Sequence, residues 1–565
     1  MKTRTATLAD RCFAAQAYVG QLLPNRTFGV PRQQSARMSE STAQSALARA
    51  AEWSLASFLI IAGPVLIASL LLAVLCGGAL WDCAPVWHDE MWYFNEMAVF
   101  DSAGWQGGYT VSHEWPARAE WVRFGTHGPF VPALYGTLAH ATGLHFASIP
   151  LFNAGLLLLG ALIWVVCCRV GVRQAWAAAL VVAIYWPLIL YIPTSMQEVL
   201  HLAIAFVLAA LSVLLVRSSG NRWLLLLALA AVAVAAQLRV TWAWVAVPLM
   251  WVAMRPENKR QWGLLAAGGL TFVAALYVEA ILLVSPYPNF MKNVLAGVFE
   301  SPLTTCWLVV MHTLKNIVRY IAPNHDTVVQ IAFRWQTMMI VGAAIYYLRQ
   351  RHLRGVRHSA SKSNDQGDVT STAFGFTLLN LGCIGGFVIA LYDVHDWRDF
   401  RVIAPHMLLT LLVLIACGSL DWLRRYAIVG LIAGVFAVVQ FGKFHQPRVE
   451  FEPSQIAPFA EQTAKVMKFE PGASAWENTM LIDMHLMDSQ QLMALPPGIG
   501  LSTVNFWEQQ AWPPRSKYVL LTHEQADMLG VPDSMHKVAE TELGDIYVQR
   551  ADHPVLGSAS KGKPR

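Results

Sequence analysis

The sequence predicts an all-α polytopic membrane protein of about eleven transmembrane helices, followed by a small C-terminal α/β domain. Three observations carry this. Only 14% of the 565 residues are charged and 55% are hydrophobic, whereas a soluble domain carries about 25% charged residues. Apolar runs of the length needed to cross hydrocarbon, about 20 residues, recur from residue 54 to residue 441. After about residue 443 the runs give way to short amphipathic segments broken by Pro and Gly. The same composition excludes a disordered chain, a collagen-like chain and a basic nucleic-acid binder. A net charge of +5 is too mild to attract a polyanion, so no nucleic-acid partner is expected. Eight Cys in so long a chain do not form a disulfide scaffold.

Residues 1–53 are polar and contain no apolar stretch of the kind a signal peptide needs. They are expected to be a cytoplasmic, poorly ordered segment, in which Met38 is a second candidate start. The first apolar run, Ser54–Leu80, contains no charge. Ten more follow at about 149–168, 175–192, 198–216, 222–237, 240–254, 262–284, 327–348, 372–392, 402–420 and 426–441. The stretch 222–254 is divided because Arg239 falls at its middle, where a guanidinium in hydrocarbon is costly. The positive-inside rule sets the orientation. With the N-terminus inside, the inner loops carry 14 Lys and Arg and the much longer outer loops carry 8. The N-terminus is therefore read as cytoplasmic and the C-terminus as outside.

The transmembrane module is accordingly placed at 54–442, with outer loops 81–148 and 285–326, and the outer C-terminal domain at 443–565. Within the first loop, Val131–Ala141 is apolar but too short to span and suits a juxtamembrane helix. In the second loop, Leu303–Ile321 has the pattern of an interfacial amphipathic helix. In the C-terminal segment, Pro458–Phe469 has helical period, while Thr479–Ile482, Tyr518–Thr522 and Asp545–Arg550 read as strands. Cys83 and Cys306 are the two cysteines expected on the oxidising side, where a disulfide would tie the outer loops together.

Polar residues gathered on one face of a membrane bundle mark the candidate site. Immediately after the first span stands Trp87-His88-Asp89-Glu90-Met91-Trp92-Tyr93. Two adjacent carboxylates with His88 beside them can hold a divalent cation or exchange a proton. Partly desolvated by the neighbouring Trp rings, Asp89 or Glu90 could act as a general base. The competing reading is an interfacial Trp/Tyr belt with solvated acids. Farther on, Phe124-Gly125-Thr126-His127-Gly128-Pro129-Phe130 brings an imidazole to the start of the short apolar helix. His127 would complete a metal set with Asp89 and Glu90 for Mg, Mn or Ca, or else serve a structural role. Arg398 and Arg401, three apart at a helix start, project from one face and suit a phosphate held in bidentate fashion. Alternatively they pair with Asp396 and Asp399. Arg239 and Arg334 also lie near the predicted outer face. Glu198 and His201 open the fourth span from outside, and Glu279 lies within the seventh.

One span, a large outer loop opening on an acidic pair, then a His-Pro-apolar helix: this order resembles the GT-C membrane glycosyltransferases. Within them it is most similar to the superfamily of dolichyl-phosphate-mannose–protein mannosyltransferases and lipid A aminoarabinose transferases. His88-Asp89-Glu90 occupies the position of that family's Asp-Glu motif. His127-Gly128-Pro129-Phe130 resembles its His-Pro-Pro-Leu element, with Gly128 in place of the first Pro. Asp396–Pro405, containing Arg398 and Arg401, resembles the start of a late family helix. The resemblance implies a sugar donor carried on a polyprenyl phosphate and an outer-face glycan, lipid or protein acceptor. It further implies inversion at the anomeric carbon, with Asp89 or Glu90 as base and His88, His127, Arg239, Arg334, Arg398 and Arg401 around the substrate. A bacterial inner membrane is the setting it implies. No P-loop is present, so no nucleotide cofactor is expected. Two other readings remain at this stage. One is a lipid or glycan transporter or flippase with Glu279, Arg239 and Arg334 along its path, which would favour internal repeats. The other is an O-antigen-type ligase or polymerase.

Overall fold

The computed structural model describes residues 32–125, 127–218, 221–254, 261–286, 290–321, 328–357, 365–392, 400–418, 420–506 and 514–550. Residues 1–31 of the N-terminal segment and the stretch 393–399, with Arg398, lie outside the described residues.

The first described element is α1 (Arg32–Leu71), so the part of the N-terminal segment from Arg32 to Trp53 is helical rather than unstructured. The loop after the first span then forms α2 (His88–Ala103) and α3 (Phe130–Thr142). The bundle continues through α4 (Ser148–Cys168), α5 (Val172–Ala183), α6 (Trp186–Tyr191), α7 (Glu198–Arg217), α8 (Arg222–Ala236) and α9 (Ala246–Ala253). A 3-10 turn, Val240–Val245, leads into α9. Next come α10 (Gln261–Tyr277), the pair α11 (Phe290–Glu300) and α12 (Pro302–Ile321), then α13 (Val328–Arg357), α14 (Asp365–Leu391), α15 (Phe400–Cys417) and α16 (Leu423–Val449).

Seven of these segments are long and apolar enough to cross a membrane: Ser45–Cys76, Ser148–Cys168, Glu198–Arg217, Ala266–Leu283, Val328–Leu353, Val369–Leu391 and Leu423–Val449. Four shorter apolar helices accompany them, at Val172–Ala183, Arg222–Ala236, Val240–Ala253 and the stretch of α15. Each falls on one of the eleven apolar runs. The protein is an integral membrane protein of mostly helical architecture with a small C-terminal sheet. At its centre α7 packs between α4 and α15, with little of its surface left exposed. By contrast α16 turns Leu431, Val435 and Val439 outward, as a helix bordering lipid does.

The short helix expected at 131–141 is α3, and the amphipathic stretch at 303–321 is α12. The outer side of α12 presents Leu303, Trp307, Leu314 and Val318. Its inner side is polar: Asn316 donates to the backbone carbonyls of Ile389 and Tyr392 at 3.0 and 2.7 Å. Cys306 on this helix is exposed and Cys83 is buried, and both are free thiols. The disulfide considered between them is therefore absent.

The C-terminal elements are α17 (Ala457–Val466), β2 (Thr479–Asp483), β3 (Gly500–Val504), β4 (Tyr518–Leu521), α18 (His523–Leu529), β5 (Met535–Thr541) and β6 (Gly544–Gln549). The helix α16 runs past residue 443, carrying the bundle seven residues into the segment expected to be the outer domain. Among the described residues the sheet has six strands in the order β1-β3-β2-β4-β6-β5, and β1 (Val111–Ser112) comes from the loop after the first span. It pairs in parallel with β3, Val111 opposite Ser502, while β6 runs antiparallel to both β4 and β5. One face is closed by Leu481, Val504, Phe506, Val519 and Leu521, with Ala526 and Leu529 of α18 against them.

Just beyond β1 the backbone turns through positive φ at His113 and Glu114, a conformation costly for residues with a Cβ. Partners compensate for it. The buried Glu114 carboxylate accepts from the Arg515 and Ser516 amides, each at 2.8 Å, and from the Ser516 hydroxyl at 2.7 Å. The first loop is thus built into the C-terminal sheet.

Candidate active site

The helix α2 starts at His88, which places Asp89 and Glu90 in its first turn, where the helix dipole favours negative charge. Adjacent helical residues project about 100° apart, and the two carboxylates meet different surroundings. Glu90 turns inward and is completely buried. One of its oxygens accepts from the Val86 and Trp87 amides at 2.9 and 3.0 Å, and the other from the Ser195 amide at 2.8 Å. Arg448, equally buried near the end of α16, grips both oxygens at 2.9 and 3.4 Å. Its guanidinium lies 4.2 Å from the centre of the Trp87 ring and donates to the Phe444 carbonyl. No lone pair of Glu90 is left facing accessible space.

Asp89 turns the other way and keeps 37% of its side chain accessible. Arg401 of α15 donates to it at 2.9 Å. The Arg401 Nε lies 3.7 Å from Oε1 of Glu198, the first residue of α7. The same Oε1 accepts from Arg239 at 2.8 Å. Asp89, Arg401, Glu198 and Arg239 therefore form one chain of alternating charge whose sum is zero. Burial alone would push the Asp89 carboxyl up, but the charge and hydrogen bond of Arg401 outweigh it and hold the group below the usual carboxylate range. Asp89 is ionised at neutral pH.

His127 joins the cluster through Tyr93, one helical turn after Asp89, whose hydroxyl is 2.7 Å from the imidazole Nε2. Burial, and after it the charge of Arg239, push this imidazole down to about 4, against the opposing pull of Asp89. It is neutral at pH 7. The loop that carries it is fixed by two glycines. A Cβ on Gly125 would come within 2.7 Å of the Trp92 indole nitrogen and 2.9 Å of the Thr110 carbonyl. Gly128 has φ +73°, a value closed to proline, so the first Pro of the His-Pro-Pro-Leu element that this segment resembles would not fit this backbone. Beneath the loop, Glu96 accepts from the Gly125 amide and the Trp92 indole, each at 2.9 Å. Burial pushes its carboxyl up to about 8 despite those two bonds.

Of the residues singled out in the sequence, Asp89, His127, Arg239 and Arg401 come together here. His88 flanks them with its ring stacked parallel to Trp92. Glu90 is part of a buried ion pair instead. Arg334 is half-buried on α13, a helix that packs on α14 and α16. Sequence reading assigned no part to Arg448, Tyr93 or Glu198. Glu198 carried a signal, a carboxylate opening an apolar span, whereas Arg448 carried none.

The residues present do not fit a divalent ion held by Asp89, Glu90 and His127. Glu90 is already saturated by three amides and a guanidinium, the His127 Nε2 meets the Tyr93 hydroxyl, and the cation beside Asp89 is Arg401. Among the described residues, the group whose ligand atoms lie within 4.8 Å of one another is His523, Glu540 and Asp545 in the C-terminal domain. There the Lys537 ammonium contacts Asp545 at 2.8 Å and Glu540 at 3.0 Å.

The fold and site together define a polytopic membrane protein with an accessible carboxylate and two guanidiniums at one end of its bundle. Neither a family model nor a curated protein matches the chain. Among solved structures it is similar to ArnT from Cupriavidus metallidurans in the apo state, at 14% identity and a TM-score of 0.40, over 88% of this chain and 98% of that one. It is similar also to that protein bound to undecaprenyl phosphate, at 15% identity and a TM-score of 0.38, over 86% and 97%. A third likeness is to the Archaeoglobus fulgidus oligosaccharyltransferase in complex with Zn and sulfate, at 12% identity and a TM-score of 0.38, over 77% and 62%.

Proposed function

We propose that this protein is an integral membrane glycosyltransferase. It moves a sugar from a polyprenyl-phosphate donor to a glycan, lipid or protein acceptor at the outer, periplasmic face of a bacterial inner membrane. The observation that carries the reading is the accessible, ionised Asp89 set against Arg401, with Arg239 joined to both through Glu198.

In this reading Asp89, and not Glu90, is the general base. It takes the proton of the acceptor nucleophile as that atom bonds to the anomeric carbon. The bond from that carbon to the phosphate oxygen breaks, and its electron pair leaves with the polyprenyl phosphate. Arg401 and Arg239 stabilise the charge developing on that oxygen, a task suited to preorganised guanidiniums away from bulk water. Once Asp89 is protonated it no longer competes for Arg401, whose Nη1 is then released towards the leaving phosphate. His127, neutral and bonded to Tyr93, donates or accepts a hydrogen bond at the substrate without adding charge. His88 flanks this site, Arg334 and Arg398 are kept as proposed substrate-binding residues, and no step is routed through a metal.

The test is sugar transfer from polyprenyl-phosphate sugars in membranes carrying the full chain. Removing a positioned general base costs on the order of 10²–10⁴ in rate, so Asp89→Asn is expected to lose at least a hundredfold with folding intact. Full activity in Asp89→Asn would sink the mechanism.

A further inference from the structure

Glu90 and Glu198 are both buried carboxylates paired with arginine, yet their bonding differs. Every oxygen of Glu90 is satisfied, as expected of a group that holds structure together. Glu198 is 2% exposed and uses only Oε1. Among the described residues its buried Oε2 has no hydrogen-bond partner, and neither has the buried Nη1 of Arg239. Leaving charged atoms unmatched in the interior is destabilising, so stability does not account for Glu198. Its position does. As the first residue of α7, the helix clasped between α4 and α15, it sits where Arg239 and Arg401 converge. Two guanidiniums brought this close repel unless an anion stands between them.

We infer that Glu198 is a positioning residue that holds Arg239 and Arg401 side by side and sets the strength with which they bind a lipid phosphate. The inference rests on the glycosyl-transfer reading. With Glu198 in place the four-residue cluster is neutral, so a phosphate monoester is attracted to the guanidiniums while the carboxylate opposes it. The leaving polyprenyl phosphate is stabilised as it forms and is then released. Without the carboxylate the cluster carries one net positive charge, and the product phosphate stays.

The experiment titrates farnesyl phosphate, with farnesol as the uncharged control, into the full-length protein in nanodiscs, for the wild type, Glu198→Gln and Glu198→Asp. The wild type should bind farnesyl phosphate in preference to farnesol. Glu198→Gln should bind it at least about tenfold more tightly, the floor set by removing one like charge a few ångströms away even at the dielectric of water and exceeded in a partly buried site. In transfer assays it should show a lower kcat with KM unchanged or reduced, because product release slows. Glu198→Asp, which keeps the charge, should stay within about twofold of the wild type in affinity. Equal or weaker binding by a folded Glu198→Gln would overturn the inference, and the glycosyl-transfer reading would survive. Unfolding of Glu198→Gln, with Glu198→Asp folded and unchanged, would assign Glu198 to structure and overturn it equally. If the wild type does not distinguish farnesyl phosphate from farnesol, the glycosyl-transfer reading falls and the inference with it.

Discussion

Breaking the Glu90–Arg448 pair should unfold this end of the bundle far more than its two contacts suggest. In Glu90→Gln, Arg448 loses its counter-ion and keeps the Phe444 carbonyl, the Trp87 and Phe444 rings and at most one amide oxygen, in a place with no exposure at all. A buried ion pair that loses one partner costs about 3–5 kcal/mol, and this variant belongs at the upper end. Arg448→Met leaves the Glu90 carboxylate with its three amide donors, from Val86, Trp87 and Ser195, so its cost should lie nearer 3 kcal/mol. The double variant strands no charge, and its loss should fall short of the sum of the single losses by about 3 kcal/mol. Denaturant unfolding in mixed micelles, followed by tryptophan fluorescence, measures all four corners of this cycle. Additive losses, or a Glu90→Gln variant within about 1 kcal/mol of the wild type, would refute the reasoning.

Three further outcomes follow from the same loop. His127 is held near 4 against an ordinary 6.5, so below 6.5 the unfolded chain takes up a proton that the folded one refuses. Its contribution to stability is full above 6.5 and is lost as pH falls toward 4, and His127→Gln should flatten that part of a stability–pH profile. Glu96 shifts in the opposite direction, to about 8 from 4.5. Its burial is tolerated below 4.5 and becomes increasingly unfavourable as pH rises to 8. Glu96→Gln, which mimics the neutral acid, should melt higher than the wild type at pH 8 and equal it at pH 4.5. Gly128→Ala should cost about 1 kcal/mol or more because of its positive φ, seen as a lower melting temperature and a larger fraction of inactive protein.

The helices were legible because lipid imposes a composition and a length, and every apolar run coincides with an observed helix. Sheet elements were legible only where hydrophobic runs marked them. The strand β3, Gly-Leu-Ser-Thr-Val, is buried along its whole length yet three of its five residues are polar or lack a side chain. The alternation of β5 is broken by a register shift between Lys537 and Ala539. The strand β1 is two residues long and depends on a partner nearly four hundred positions away. The same limit governs the site. Sequence located Asp89, His127, Arg239 and Arg401 because charges near span ends are rare. It could not separate Asp89 from Glu90, since their difference is a helical rotation that turns one toward Arg401 and the other toward Arg448, 358 positions on.

The pairing of Val111 with Ser502 also constrains biosynthesis. Two segments that share hydrogen bonds must lie on the same side of the bilayer, so the chain between them crosses it an even number of times. Any insertion error that left one helix uncrossed would deliver β3 to the wrong compartment. The strand β1 must also wait, unpaired, until the ribosome has released nearly the whole protein. A chain interrupted before residue 500 would therefore keep Asp89 but lack the strand that anchors its loop, so the loop reaches its final structure only after the C-terminal sheet has been made.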